Sequence, residues 1–194
     1  METKEVLKDG SEVVIRPLTL DDLGRSIRFF HSLSAEDRKY LRGDVTREEL
    51  VERRIRTAEE QGITRLVAVV DDEIVGDGAL ELSGEGWRAH LGEVRAIVAG
   101  GFQRKGLGMI LLRDLYLLAV KKDVKKIVVK MAKPQIGARN ICLKLGFHEE
   151  VVLPDYVQDQ SGMLQGLIVM TCDTDALWER LEQAYTTSGW QRCR

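Results

Sequence analysis

The sequence predicts an α+β, or layered α/β, domain built on a mixed sheet. Three features carry this expectation. Two β-rich runs, 64–70 and 73–82, meet at Asp71 and Asp72 in a hairpin pattern. After residue 100 the strand patterns alternate with helical ones, the combination that lays helices on a mixed sheet. Residues 107–121 carry Leu111, Leu112, Leu115, Leu118 and Ala119 on one broad apolar face, as a helix packed on a sheet requires.

The elements follow in order. "EVVIRPLT" at 12–19 reads as a strand closed by Pro17. Thr19 with Asp22 three residues on can cap a helix whose Leu23, Ile27 and Phe30 fall at helical spacing. A second short helix is expected from Ser34. Thr46 and Glu49 form a capping box for a third, about 47–60, with Val51, Ile55 and Ala58 as a thin apolar stripe. Glu49–Arg53 and Glu52–Arg56 are spaced to pair along it. The hairpin comes next, then the glycine-rich turn "SGEGWRAHLG" and a strand at 92–98. The helix at 107–121 leads to a strand at about 125–131. A helix in "QIGARNICLKLGF" ends at Gly146, and two final strands, in "FHEEVVLPDYV" and "LQGLIVMTC", are joined through Gly162. A closing helix at about 175–186 carries Leu177, Leu181 and Tyr185 on one side.

The 194 residues suffice for one domain with a sizeable core. The chain is 44% hydrophobic and 31% charged, with a formal net charge of -2. That balance speaks against nucleic acid as the partner, which calls for a basic excess. No apolar run is long enough to cross a membrane, and the charged start "METKEVLKDG" is no secretory signal. Cys142, Cys172 and Cys193 lack CxxC spacing, and His31, His90 and His148 are scattered. Neither a disulfide framework nor a metal site is expected, and a cytoplasmic location is.

The stretch that needs explaining is "GGFQRKGLGMILLRDL", 100–115. Glycines at 101, 106 and 108 surround Arg104 and Lys105 and run straight into an apolar helix. Glycine opposes helix formation, and adjacent cations gain nothing from each other. An anion on the first helical turn makes sense of both. Backbone amides converge there, the helix end is partially positive, and glycine lets a phosphate come close. The pattern is neither a P-loop nor G-x-G-x-x-G, since no lysine-serine follows and Leu111 holds the third glycine position. A plain strand-to-helix turn remains the alternative.

"QRKGLG", Gln103 to Gly108, resembles the Q/R-x-x-G-x-G/A signature of the GCN5-related N-acetyltransferases. "EVRAIV" before it and "KLGF" about 40 residues on also resemble that family, and the order of elements matches over roughly 12–171. A narrower resemblance, in "FFHSLSAEDRKY" and "DYVQDQSGMLQGLIVM", is to the acetyltransferase domain of bacterial protein lysine acetyltransferases. The resemblance implies a mostly antiparallel mixed central sheet flanked by helices. It implies one acetyltransferase domain over 1–172, with 173–194 as a C-terminal helix and tail. The implied activity is transfer of acetyl from acetyl-CoA to an amine, a protein lysine or a small molecule, by direct attack in a ternary complex. The alternative is a non-catalytic module that binds acyl-CoA and regulates a partner. Relatives often dimerise, so a homodimer is open to it.

Residue by residue, the resemblance implies that the backbone of Ile97 and Val98 holds the pantetheine arm and thioester. Gln103, Arg104, Lys105, Gly106, Leu107 and Gly108 would hold the pyrophosphate. Glu93, on the strand before the loop, is the candidate general base; a solvated strand glutamate is the alternative. The family's tyrosine acid is replaced by Cys142, a weak donor or a small buried helix residue. Its asparagine is replaced by Gln135, which can bond the pantetheine or stand exposed in the first turn. Arg139 and Asn140 lie further along the same helix. Gly100 and Gly101 stand where relatives have V-x-P. His90 and Trp87 lie in the turn near where an acceptor would enter, with a plain surface loop the preferred reading; Asp155 and Tyr156 can meet a cationic acceptor or form an ordinary strand edge, and Trp190 can dock on a second subunit or fray.

Overall fold

The structure, a computed structural model, describes residues 2–84 and 86–187. Eight strands form one sheet in the order β1-β2-β3-β4-β5-β6-β8-β7. They are β1 (Thr3–Val6), β2 (Glu12–Pro17), β3 (Ile63–Val70), β4 (Glu73–Leu82), β5 (Leu91–Val98), β6 (Lys126–Ala132), β7 (His148–Gln158) and β8 (Leu164–Asp173). Every pairing is antiparallel except β5 with β6. The helices are α1 (Leu23–Ser32), α2 (Ala35–Arg38), α3 (Glu48–Arg56), α4 (Leu107–Lys121), α5 (Ile136–Lys144) and α6 (Thr174–Thr187).

α4 connects the parallel pair and lies on one face of the sheet. Leu107, Ile110, Leu111 and Leu115 are fully buried there with Ile15, Leu80, Ile127 and Met170. The contact is close because β4 offers glycines. A Cβ on Gly78 would stand 3.0 Å from Leu115 Cδ1, and one on Gly76 would stand 3.1 Å from Leu111 Cδ1. On the opposite face α1 and α3 bury Phe29, Phe30 and Val51 against Val67 and Ile74. Two separate cores therefore sandwich the sheet.

Local chemistry accounts for most boundaries. Asp71 and Asp72 both have positive φ, 48° and 63°, the geometry of a tight hairpin turn. Asp22 accepts the backbone N–H of Thr19 at 3.0 Å and both Arg16 guanidinium nitrogens at 2.6 and 2.7 Å, which joins β2 to the start of α1. Gly146 (φ 82°) follows the end of α5, and Gly162 (φ 85°) turns β7 into β8.

Three expectations are corrected. The charged N-terminus forms β1, paired with β2 through a turn at Asp9 and Gly10. Its Glu5 is buried because Arg113 of α4 meets it at 2.8 Å. The Thr46–Glu49 capping box does not form. Arg47 holds the cap position, the Thr46 hydroxyl donates to Asp44 at 2.5 Å, and Glu49 meets Arg47 at 3.7 Å. α3 also ends at Arg56, and of its two spaced pairs only Glu52–Arg56 closes among the described residues, at 2.6 Å. The closing helix is anchored by the fully buried Leu177 and by Trp178, stacked on Tyr116 with ring centroids 5.6 Å apart. The side chains of Leu181 and Tyr185, and all of Trp190 and Cys193, lie outside the described residues.

Candidate active site

The site begins where two strands part. β5 and β6 pair only over Leu91–Glu93 and Lys126–Val128. Beyond that, β5 stays on β4 as far as Val98 and β6 stays on β8 as far as Ala132. A slot therefore opens between 94–98 and 129–132, at the carboxyl ends of the parallel pair, where open sheets place ligands. Ala96 is exposed in mid-sheet as a consequence. The Ile97 and Val98 side chains turn to opposite faces, each packed on one of the two cores. The strand can thus offer the slot its backbone while its side chains hold it in place.

The loop after β5 is an anion cradle in form. Gly106 caps α4 at φ 98°, the left-handed conformation that glycine takes without strain, and Arg104 (φ 59°) is left-handed too. Among the described residues the amides of Arg104, Lys105 and Gly106 make no backbone hydrogen bond. The first amides of α4, Leu107 and Gly108, have no partner within a helix. A Cβ on Gly108 would meet nothing within 4 Å, so the approach is open. Gln103 steadies the loop by donating through Nε2 to Val98 O at 3.1 Å and to Asp37 at 3.0 Å. The Lys105 ammonium is engaged by Asp9 at 2.7 Å, while its carbonyl accepts the Lys8 amide at 3.1 Å. The β1–β2 turn thus braces the loop, and Lys105 gives it an amide more readily than a charge.

Glu93 lies at the fork, 8% exposed. Burial by itself would raise its pKa. The hydrogen bond from Lys130 at 2.7 Å and the charges of Arg42 and Lys130 outweigh that and hold it below the usual carboxylate range. Arg42, in the segment between α2 and α3, makes the second ion pair. Two cavities meet at this cluster. One, about 460 Å³, is a groove along Leu91, Glu93, Val128 and Lys130, with Arg88 and Thr171 at its sides. The other, about 260 Å³, lies beyond the fork between Tyr40–Arg42, Lys130–Ala132 and Gln135, and the β7–β8 turn. The segment roofing this second cavity is tied to that turn. The Gln160 amide donates to Lys39 O at 3.1 Å, and the Lys39 ammonium lies 3.8 Å from Asp159.

The other anticipated residues divide. Cys142 is in the α4-side core, where burial first and then the neighbouring Cys172 push its thiol up to about 11. A thiol held that high is a poor proton donor, so the expected acid is not supported there. Gln135 turns its Oε1 back onto the Ala132 amide at 2.9 Å and also lines the smaller cavity. Arg139 is paired with Glu149 at 2.7 Å. Trp87 is 91% and Tyr156 64% exposed. Arg95 shares the face of Glu93 by strand alternation, as the sequence pattern predicts, whereas sequence reading passed over Arg42 and Lys130. Lys126, Val128 and Lys130 alternate on one strand face, the one signal available; Arg42 sits in a loop and carries none.

The parallel pair therefore splays, and a glycine-rich loop whose amides make no backbone hydrogen bond stands at the mouth of the gap. Residues 27–147, 121 of the 194, match the sequence model of the acetyltransferase (GNAT) family. The chain belongs to that family and is an N-acetyltransferase. No curated protein matches it significantly. Among solved structures it is similar to RimJ of Mycobacterium smegmatis in complex with CoA-disulfide, with a TM-score of 0.79 at 15% identity over 99% of this chain and 96% of that one. It is also similar to the GNAT domain of PAT from S. lividans (TM-score 0.72, 19% identity, 89% and 96% covered). A third similarity is to a ribosomal-protein-alanine N-acetyltransferase from Brucella melitensis (TM-score 0.70, 19% identity, 82% and 98% covered). At these identities the likeness is one of fold.

Proposed function

We propose that the chain transfers acetyl from acetyl-CoA to an amine in a ternary complex, with Glu93 as the base. The observation that carries this is an open amide cradle at the mouth of one slot and a buried, ionised carboxylate at its fork. The amides of 103–108 hold the diphosphate, and the 97–98 backbone holds the pantetheine and polarises the thioester carbonyl. An alkyl ammonium with a pKa near 10.4 must lose a proton before it can attack. Glu93 accepts that proton, the amine nitrogen bonds the acetyl carbon, and the carbon–sulfur bond breaks. The thiolate takes its proton from solvent, since the Cys142 thiol is buried and too weak an acid.

The test couples binding to turnover. Gly108→Asp places a carboxylate in the cradle at a position with room for a side chain and no positive φ, so the fold is kept. Acetyl-CoA at 100 times its dissociation constant should add about 2.7 kcal/mol to wild-type stability and little to the variant. No shift in wild type removes the cradle assignment. A shift with no transfer to any amine favours the regulatory acyl-CoA module.

A further inference from the structure

The face of the sheet around Glu93 carries a surplus of positive charge. Arg54 and Arg65 share Asp77, at 2.6 and 3.5 Å, and Arg95 has Glu81 at 2.6 Å. Glu93 has both Arg42 and Lys130. Five cations thus stand against three carboxylates on adjoining strands, and Glu81 and Glu93 lie directly opposite each other in the β4–β5 register. The surplus leaves marks. The Nε atoms of Arg65 and Arg95 are buried and have no hydrogen-bond partner among the described residues; Glu93 Oε1 has none either and meets Arg42 as an ion pair. Burial, and then the charge of Arg42, pull the Arg95 guanidinium below its ordinary value.

An acceptor amine reaches this place as a further cation. A plain alkylammonium that takes Glu93 would strand Arg42 and deepen the surplus. An acceptor that also carries a carboxylate resolves both problems by exchange. Its ammonium takes Glu93, and its carboxylate takes Arg42. Each ion pair is replaced by another, and the added charge is zero. Arg42 is suited to leave, because its side chain is 43% exposed and it lies in a loop. Glu93 keeps two cations through the exchange, Lys130 and now the acceptor ammonium, whose proton is thereby brought onto the carboxylate. Glu93 lines the groove of about 460 Å³, Arg42 lines the cavity of about 260 Å³ and Lys130 lines both; these volumes suit a small molecule that spans the two.

Building on the acetyl-transfer reading, we propose that the acceptor is a small aliphatic amine bearing a carboxylate, and that Arg42 selects it by exchanging Glu93 for that carboxylate. The test compares 4-aminobutanoate and 6-aminohexanoate with butylamine, hexylamine and the methyl esters of the two acids, using wild-type protein and acetyl-CoA. Loss of a charge-assisted pair predicts that kcat/KM favours the free acids by about 10- to 100-fold. Arg42→Ala should bring that ratio towards one, mainly through the KM of the acids, with the acetyl-CoA thermal shift retained; Arg42→Lys should restore part of it. Equal rates for acids and plain amines in wild type overturn this proposal and leave acetyl transfer standing. Transfer to a lysine peptide alone overturns it in favour of a protein acceptor. No transfer to any amine, with the acetyl-CoA shift intact, removes the acetyl-transfer reading and this one together.

Discussion

At the scale of the residue, the environment of Glu93 decides what kind of base it is. Two cations overcome its burial and keep its carboxylate ionised throughout the neutral range. It therefore contributes no titration near pH 7. With an acceptor that binds as its ammonium and gives its proton to Glu93, kcat/KM should stay level across the neutral range and fall as the free acceptor loses its charge near pH 10.4. An inflection between pH 6 and 7 that vanishes in Glu93→Gln would contradict this account. Glu93→Gln should lower kcat about 100-fold or more, the usual share of a general base, while the acetyl-CoA thermal shift is kept. Asp22 shows the same electrostatics used for stability. Arg16 and the Thr19 amide hold its carboxyl down to about 2. A depressed folded-state pKa means that the stabilisation is present above the unfolded carboxylate pKa, near 3.9, and is lost as pH falls towards 2. In Asp22→Asn, denaturation curves should show a loss at pH 7 of about 2 kcal/mol that shrinks as pH falls through that window.

At the scale of the element, α4 works at both ends of the problem. Its first turn is the proposed cradle, and its apolar face is seated on glycines of β4. Position and function are thereby coupled. Gly78→Ala brings a methyl to 3.0 Å from Leu115 Cδ1, so this fully buried side chain must give by a few tenths of an ångström and, being close-packed, passes the displacement to the helix. Overpacking of this kind costs about 1–3 kcal/mol. The same shift moves the amides of 106–108, so the variant should lose melting temperature and bind acetyl-CoA more weakly. Weaker binding without loss of stability would show that the helix tilts rather than strains. The loop itself is braced from outside α4, by the β1–β2 turn at Lys8 and Asp9.

At the scale of the molecule, one sheet separates two cores, and the slot passes between β5 and β6 where neither core needs the strands to stay paired. α6 belongs to this unit through Leu177, fully buried in the α4-side core. Leu177→Ala should cost about 2–5 kcal/mol in chemical denaturation, within a single transition. A change under 1 kcal/mol would mean that α6 is an appendage.

Much of this was legible in the chain. Periodicity marked the helices at 23–32 and 107–121, and paired aspartates marked the hairpin at 71–72. Glycines at 106 and 108 marked the turn into α4, because local backbone geometry is written in local residue types. β1 was legible too, in the Asp9-Gly10 turn, but its charges disguised it; Glu5 becomes a core residue only when Arg113, 108 positions away, is beside it. The Thr46–Glu49 box shows the converse, a correct local signal overruled by a competing partner, Asp44. The sequence by itself determined the layered fold, the glycine-rich turn into α4 and the place of Glu93 on its strand. Only the tertiary structure decided the state of Glu93, the burial of Cys142 and the convergence of Arg42, Arg95 and Lys130. The reason is physical: a conformation is set by neighbours along the chain, whereas the charge on a carboxylate is set by neighbours in space.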